Sequence, residues 1–451
     1  MLDLLTDLRC RVALALALGA SFVPLATPRA RADAREVLRA RIEREAPRLE
    51  PRTVAWRRDF HAHPELGNQE KRTARIVAAH LTKLGLTVRT GVARTGVVAV
   101  LRGALPGPVV GLRADMDALP VKEATGLPFA SRDKGRTLDG DVDVMHACGH
   151  DGHLAILMTV AELLAGMRDA LPGTVVFYFS PAEEGPSDFL PDERSTWGVK
   201  MMIEEGVLKA PRPSAVFGLH LWAGIPAGRI AVREGPAMAS SDDLYVDVVG
   251  KQTHAGRPWA GVDALVTAAQ VVVGLQTVVS RQTDISASPT VVSLGTIHGG
   301  TRYNIIAELV NMAGTIRAYD PAIRLATHDR VRRTAEGIAA ASGAQAKVRI
   351  VQKYDATRND PALTARSLPS LRWAAHDDVV EAPLVSGAED FSFFGKEVPS
   401  VFFFLGASAP GGDVAQAAPN HSPRFTLDES TLRIGVRALA ALATDHLTAG
   451  R

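Results

Sequence analysis

Thr174-Val175-Val176-Phe177-Tyr178-Phe179-Ser180, followed at once by Pro181-Ala182-Glu183-Glu184, is the stretch that decides how this chain folds. Its unbroken run of apolar side chains leaves no polar face, so the strand is expected to be covered on both sides. Ala215–Leu221 reads the same way, Val109–Ala114 is another strand, and Leu154–Leu164 between them reads as a helix. Alternating strands and helices of this kind predict an α/β sheet sandwiched by helices. A buried strand that runs into two acids has no packing reason to do so, which makes Glu183-Glu184 the first candidate for chemistry.

Working outward, Ala34–Glu50 is expected as a polar helix, and Thr53–Ala62 and Glu70–Leu84 carry helical apolar spacing, with Gly85 at a C-cap position. The character changes near Ser240. Asp242–Gly250 alternates apolar and polar residues, as a strand with one wet face does. Gly261–Ser280 follows as an apolar-periodic helix, Thr290–His298 and Ala307–Ala318 as paired strands, Pro321–Ser342 as a helix and Ala346–Val351 as a strand. That order is the one of a ferredoxin-like unit. Buried α/β character returns after Tyr354, with a strand at Val398–Leu405 and a closing helix at Thr431–Thr448. The expected organisation is residues 1–32 as a leader, 33–239 and 354–451 as one α/β domain, and 240–353 as an inserted α+β domain.

The 451-residue length exceeds what one hydrophobic core usually serves, in keeping with two domains. Apolar content of 46% and charged content of 22% are those of a folded soluble protein. A net charge of +2, without Lys/Arg blocks, excludes a nucleic-acid footprint. Arg9 and Arg11 precede the apolar run Val12–Ala26, and Ala30-Arg31-Ala32 offers a small-x-small cleavage site before Asp33. The expectation is a signal peptide cleaved near Ala32, hence a periplasmic or secreted protein. The competing reading is an ordinary buried helix, and Asp3 and Asp7 are unusual in a leader. The run is too short for a stable membrane span, and no other stretch reads as long and apolar enough for one. With the leader removed, Cys148 would stand alone, without Cys10, and a lone thiol in an oxidising compartment needs burial or a metal.

Three clusters join Glu183-Glu184 as candidates: Met145-His146-Ala147-Cys148-Gly149-His150-Asp151-Gly152-His153, His220 at a strand end, and His421 after a late strand. Ligands at the ends of parallel strands converge on one crevice. Thiolate, imidazole and carboxylate donors together suit Zn or Mn. Each has an ordinary explanation alone: a satisfied histidine, a solvated acid pair, a small buried thiol. Their conjunction carries the argument.

Several motifs then resemble one family. Trp56-Arg57-Arg58-Asp59-Phe60-His61-Ala62-His63-Pro64-Glu65-Leu66, Arg113-Ala114-Asp115-Met116-Asp117-Ala118-Leu119-Pro120, the Met145–His153 segment, Pro181-Ala182-Glu183-Glu184-Gly185 and Ser386-Gly387-Ala388-Glu389-Asp390-Phe391 are similar to the metal-dependent aminoacylase/carboxypeptidase superfamily. Within it they match the branch of hippurate hydrolases, N-acyl-amino-acid amidohydrolases and auxin-conjugate hydrolases. The resemblance implies an aminopeptidase-like α/β catalytic domain holding two divalent metals, with an inserted ferredoxin-like lid. It implies Cys148, His150, Glu184, His220 and His421 as metal ligands, Glu183 as general base, and Asp117 as the group orienting a ligand. In Thr253-His254-Ala255-Gly256-Arg257-Pro258 it implies that His254 stabilises the transition state, and that Asn304, Arg317 and Gly387 contact substrate. Two features depart from the pattern: the polar stretch Pro186–Gly198 is long, and Asn304-Ile305-Ile306-Ala307 lacks a proline.

Metal coordination would lower the pKa of water, Glu183 would move the proton to the leaving nitrogen, and Arg317 would pair with a free carboxylate. Three functions are weighed: hydrolysis of N-acyl amino acids, a dipeptidase or carboxypeptidase on the same site, and an exported binding protein without catalysis. The last should show a broken ligand set, and Glu183 and every expected ligand are present. The partner expected is a small-molecule substrate. Related lids can pair across a two-fold axis, so a homodimer is a further expectation, with His254 serving its own or the neighbouring subunit.

Overall fold

The computed structural model describes residues 28–192 and 194–449, with side chains from residue 34 onward. The expected leader therefore lies outside the described residues, except for its last few positions, and so does Cys10.

Thr174–Ser180 behaves as its sequence demands: the strand Pro172–Ser180 is buried from Val175 onward and lies inside an eight-stranded sheet. The sheet order is Thr87–Val92, Gly96–Arg102, Pro172–Ser180, Leu105–Asp115, Ala215–Pro226, Ser400–Ser408, Ile230–Val232, Val379–Glu381. The central pairings, from Pro172–Ser180 through Leu105–Asp115 and Ala215–Pro226 to Ser400–Ser408, are parallel. The flanks are antiparallel at Gly96–Arg102 and Ile230–Val232, so the sheet is mixed. Parallel pairing brings the ends of the central strands to one edge, where the candidate residues lie.

The helices His150–Ala165 and Thr431–Ala449 cover one face of that sheet, and the helix Pro28–Ala62 packs on both of them. Two separate helices were expected here, and the structure has one, running through Pro47 and Pro51. Proline inside a helix is unfavourable by about 3 kcal/mol. Burial of Leu38, Ile42, Ala46, Thr53, Arg57 and Phe60 along one stripe offsets it, as do the ion pairs Arg35–Asp445, Arg437–Glu43 and Arg433–Glu50 to the closing helix.

Residues 241–354 form the second unit, a four-stranded antiparallel sheet ordered Thr290–Gly299, Leu309–Ala318, Ser241–Val249, Gln345–Tyr354. The helices Ala264–Gln282 and Pro321–Ala341 lie on one of its faces, which is the ferredoxin-like arrangement expected. Asp263 and Asp320 cap these helices by accepting two backbone N–H groups each. The helix Ala264–Gln282 corrects one expectation: its 19 residues, with mean hydropathy 1.3, are long and apolar enough to cross a membrane. Ala264, Ala268, Val271, Leu275 and Val278 pack on the sheet, while Leu265, Val266 and Val273 on the same helix are exposed.

Asp242 ties Pro321–Ala341 to the sheet. Fully buried, it accepts from Arg324 Nε at 3.0 Å and from His328 Nε2 at 2.6 Å. Asp242→Ala would leave a buried guanidinium short of its main counter-charge. The expected loss is about 3 kcal/mol in urea unfolding, and a loss under about 1 kcal/mol would show that Asp355 alone satisfies Arg324.

Candidate metal centre

Each candidate side chain stands where a strand or its following loop delivers it. Asp115 ends the strand Leu105–Asp115, and Glu183 and Glu184 follow Pro172–Ser180. His220 lies in Ala215–Pro226, beside Phe404 of the next strand. Cys148 precedes the helix His150–Ala165, whose entry turns on Gly149 in a left-handed conformation (φ 93°). Two non-glycine residues at the site also have positive φ, Ala182 at 50° and His421 at 72°. Strain of this kind persists only where the surroundings over-determine the backbone.

The surroundings do so here. Glu70 accepts from Ala182 N at 2.7 Å, and Asp117 Oδ2 accepts from Glu184 N at 2.8 Å. His421 N donates to Ala147 O at 2.7 Å. Its neighbour Asn420 donates to Cys148 O at 3.1 Å and Leu221 O at 3.0 Å, and accepts from Ala223 N at 3.1 Å. One amide thus joins three of the segments that make the site.

These supports bring the predicted ligands together. Cys148 Sγ lies 3.4 Å from His220 Nε2 and 3.2 Å from His421 Nε2, and His421 Nε2 lies 3.0 Å from Glu184 Oε1. Two donor groups share the sulfur, Cys148/His150/His220 and Cys148/Glu184/His421, and a third joins His150 to Glu183 and Glu184. His150 Nδ1 lies 2.8 Å from Asp117 O, and His220 Nδ1 lies 2.8 Å from Leu221 O. A carbonyl only accepts, so each Nδ1 carries the proton, and a neutral ring keeps its Nε2 lone pair for the cavity. His150 Nε2 is buried and has no hydrogen-bond partner among the described residues. Unused lone pairs, a thiol and two acids are the donor set a divalent cation requires. Cys148, Glu183, Glu184, His220, His421, Arg317 and Gly387 line one cavity of about 390 Å³, with His150 and Asp117 buried beside it.

The electrostatics ask for positive charge. Burial pushes the Glu183 carboxyl well above its ordinary value, helped by the charges of Glu389, Glu184 and Asp390. Burial also raises the Cys148 thiol, with Glu184 adding to it. Hydrogen bonds to Cys148 and Glu184 lift His421 to about 10. Arg113, wholly buried, is the guanidinium set among these acids: it meets Asp115 at 2.8 Å, Glu389 at 3.0 Å and Asp390 at 2.6 Å. Bound cations would remove much of this excess.

His254 and Asn304 do not line the cavity. They stand together at the short ladder of Thr253–His254 with Ile305–Ile306, where Ala255 N donates to Asn304 O at 3.0 Å. Sequence reasoning gave no role to Glu70, Asn420, Trp197 or Tyr354. Their hydrogen bonds run to backbone atoms, to each other and, for Glu70, also to Thr95 Oγ1 at 2.6 Å, and no local motif marks such partners.

A donor set of this kind at the strand ends of an α/β sheet defines the class: a metallohydrolase-type centre with a second α+β unit beside it. The chain belongs to Peptidase family M20/M25/M40, whose profile matches residues 111–445. It is 38% identical over 405 residues to Thermostable carboxypeptidase 1 of Saccharolobus solfataricus, covering 89% of this chain and 97% of that protein. It is 38% identical over 394 residues to N-acetylcysteine deacetylase of Bacillus subtilis, covering 87% and 96%. It is 35% identical over 399 residues to IAA-amino acid hydrolase ILR1-like 2 of Arabidopsis thaliana, covering 87% and 85%. Among solved structures, the Bacillus subtilis YxeP protein, a dinuclear metal binding peptidase of the M20 family, matches with a TM-score of 0.72 and 34% identity over 89% of this chain and 99% of that one. The resemblance read from the motifs is therefore borne out.

Asn420→Ala would remove three hydrogen bonds at once. An expected loss of about 2 kcal/mol in urea unfolding measures this brace, and an unchanged midpoint would mean that the His421 loop is held by other contacts.

Proposed function

We propose that the chain is a metal-dependent amidohydrolase that cleaves N-acyl amino acids, using two divalent ions, Mn or Zn, held by Cys148, His150, Glu184, His220 and His421. The observation that carries this reading is the shared sulfur: Cys148 belongs to two donor groups, each completed by side chains from other segments. The relatives named as deacetylase and amino acid hydrolase support it.

Bound there, the metals supply Lewis acidity that lowers the pKa of water and polarises the amide carbonyl. The protein does the rest. Glu183 takes a proton from water and returns it to the departing nitrogen. Asp117 O holds the His150 ring through Nδ1. Arg317 is half-buried in the cavity wall and makes no ion pair among the described residues, so its planar fork is free for a carboxylate. A free carboxylate is equally a feature of a peptide C-terminus. With the carboxypeptidase relative, this keeps cleavage of dipeptides as the second reading.

The same proposal extends to assembly and place. Residues 240–353 act as a lid and pair two chains. Leu265, Val266 and Val273 are exposed on the outer side of their helix, Val291 and Ile297 lie exposed on an edge strand, and Trp259 and Tyr303 stand out near His254. An apolar edge of this kind favours covering by a second copy, which would present His254 and Asn304 to the neighbouring cavity. The N-terminal reading adds export, with cleavage near Ala32.

Glu183→Gln should keep its metal and lose about 10²- to 10⁴-fold in kcat on a panel of N-acyl amino acids and dipeptides; intact turnover would remove Glu183 from the proton path. The panel also separates the two readings. Val273→Glu should halve the mass seen in sedimentation velocity, and a monomeric wild type would end the proposal of pairing.

A further inference from the structure

The polar stretch Pro186–Gly198 leaves the loop that carries Glu183 and returns to the body of the protein at Trp197. Trp197 is buried, and its indole Nε1 donates to the Tyr354 hydroxyl oxygen at 2.9 Å. The Tyr354 hydroxyl lies 2.7 Å from the backbone carbonyl of Glu183. The two rings meet edge to face, with centroids 6.0 Å apart. An indole N–H only donates, so the phenol must accept from Trp197, and its single proton is left for Glu183. The direction of the relay is therefore settled: Trp197 to Tyr354 to Glu183.

We propose that Tyr354 is a positioning residue for Glu183, and that the Pro186–Gly198 stretch serves the site by supplying Trp197 to fix it. The inference rests on the reading of Glu183 as the proton carrier. The Glu183 loop is held on both sides by acids, Glu70 at Ala182 N and Asp117 at Glu184 N. Both grip peptide N–H groups beside Glu183. Tyr354 grips the carbonyl of Glu183 itself, next to Ala182, whose φ of 50° is unfavourable for a residue with a Cβ. Among the described residues the Glu183 carboxylate has only a long bond, 3.3 Å from Asp390 N, so its aim depends on the peptide beneath it. Tyr354 also ends the strand Gln345–Tyr354, so the phenol links the four-stranded sheet to the loop of the base. Chains of buried hydrogen bonds reinforce one another, and removing either donor weakens the grip on the carbonyl.

Three variants test this in the metal-loaded enzyme: Tyr354→Phe, Trp197→Phe and the double variant. The proposal expects Tyr354→Phe to lower kcat about fivefold to tenfold, with KM within about twofold, because the ring stays in the cavity wall and only the hydroxyl held by the Glu183 carbonyl is lost. Trp197→Phe should lower kcat less, and the double variant should be no worse than Tyr354→Phe, since both act through one bond. Hydrogen exchange of the peptide spanning residues 181–187 should speed up in both single variants, a readout independent of activity. A loss carried by KM, additive losses, or unchanged exchange would each overturn the proposal. Should Tyr354→Phe fail to fold, Trp197→Phe decides by the same two readouts. Should the wild type cleave none of the panel, the reading of the reaction falls, and exchange alone decides whether the tether exists.

Discussion

The structure depends on one electrostatic constraint: carboxylates gathered, out of water, at one edge of a sheet. Asp115, Asp117, Glu183, Glu389 and Asp390 are all buried, and Arg113 lies among them. Charges removed from water are costly unless paired. Arg113 offsets part of the excess through three carboxylates, and Ser180 accepts from its Nε at 2.8 Å. The remainder appears as a Glu183 carboxyl pushed well above its ordinary value and a His421 imidazole lifted to about 10. A pocket built in this way is complete only with cations in it.

The backbone around the pocket answers to the same constraint. Positive φ at Ala182 and His421 turns the chain sharply enough to aim adjacent side chains inward. Glu70, Asn420 and Tyr354 hold those turns by bonding to backbone atoms, the last two from the cavity wall itself. Gly67 shows how close the packing is: a Cβ there would lie 2.2 Å from the carbonyl oxygen of Gly185. Precision of the donor set thus comes from a surrounding shell of hydrogen bonds, the general condition for holding reacting groups within a fraction of an ångström.

The four-stranded sheet adds what the metal site lacks. Arg317 reaches the cavity from the open face of that sheet, while the opposite face is closed by its two helices. Among the described residues that guanidinium makes no ion pair, which leaves its planar fork open to the cavity and supports the carboxylate-binding role proposed for it.

Much of the architecture was legible in the sequence. Apolar runs predict strands covered on both faces, and the switch to alternating polarity near Ser240 predicts the second sheet. Periodicity is local, so it survives without knowledge of the fold. It failed at Pro47 and Pro51, where packing against two other helices overrides a local rule; at Ala264–Gln282 it gave the helix, although hydropathy alone does not tell core from membrane there. The residue types of the centre were equally legible, because thiol, imidazole and acid at strand ends have few other uses in combination.

What only the tertiary structure decided is which atoms meet. That Cys148 lies within 3.4 Å of both His220 and His421, that His254 and Asn304 stand away from the cavity, and that Tyr354 holds Glu183 depend on contacts between residues tens to hundreds of positions apart. The sequence by itself determined the elements and the chemical inventory, since both follow from side chains read in order. Proximity follows from the packing of all of them at once, and no single segment encodes it.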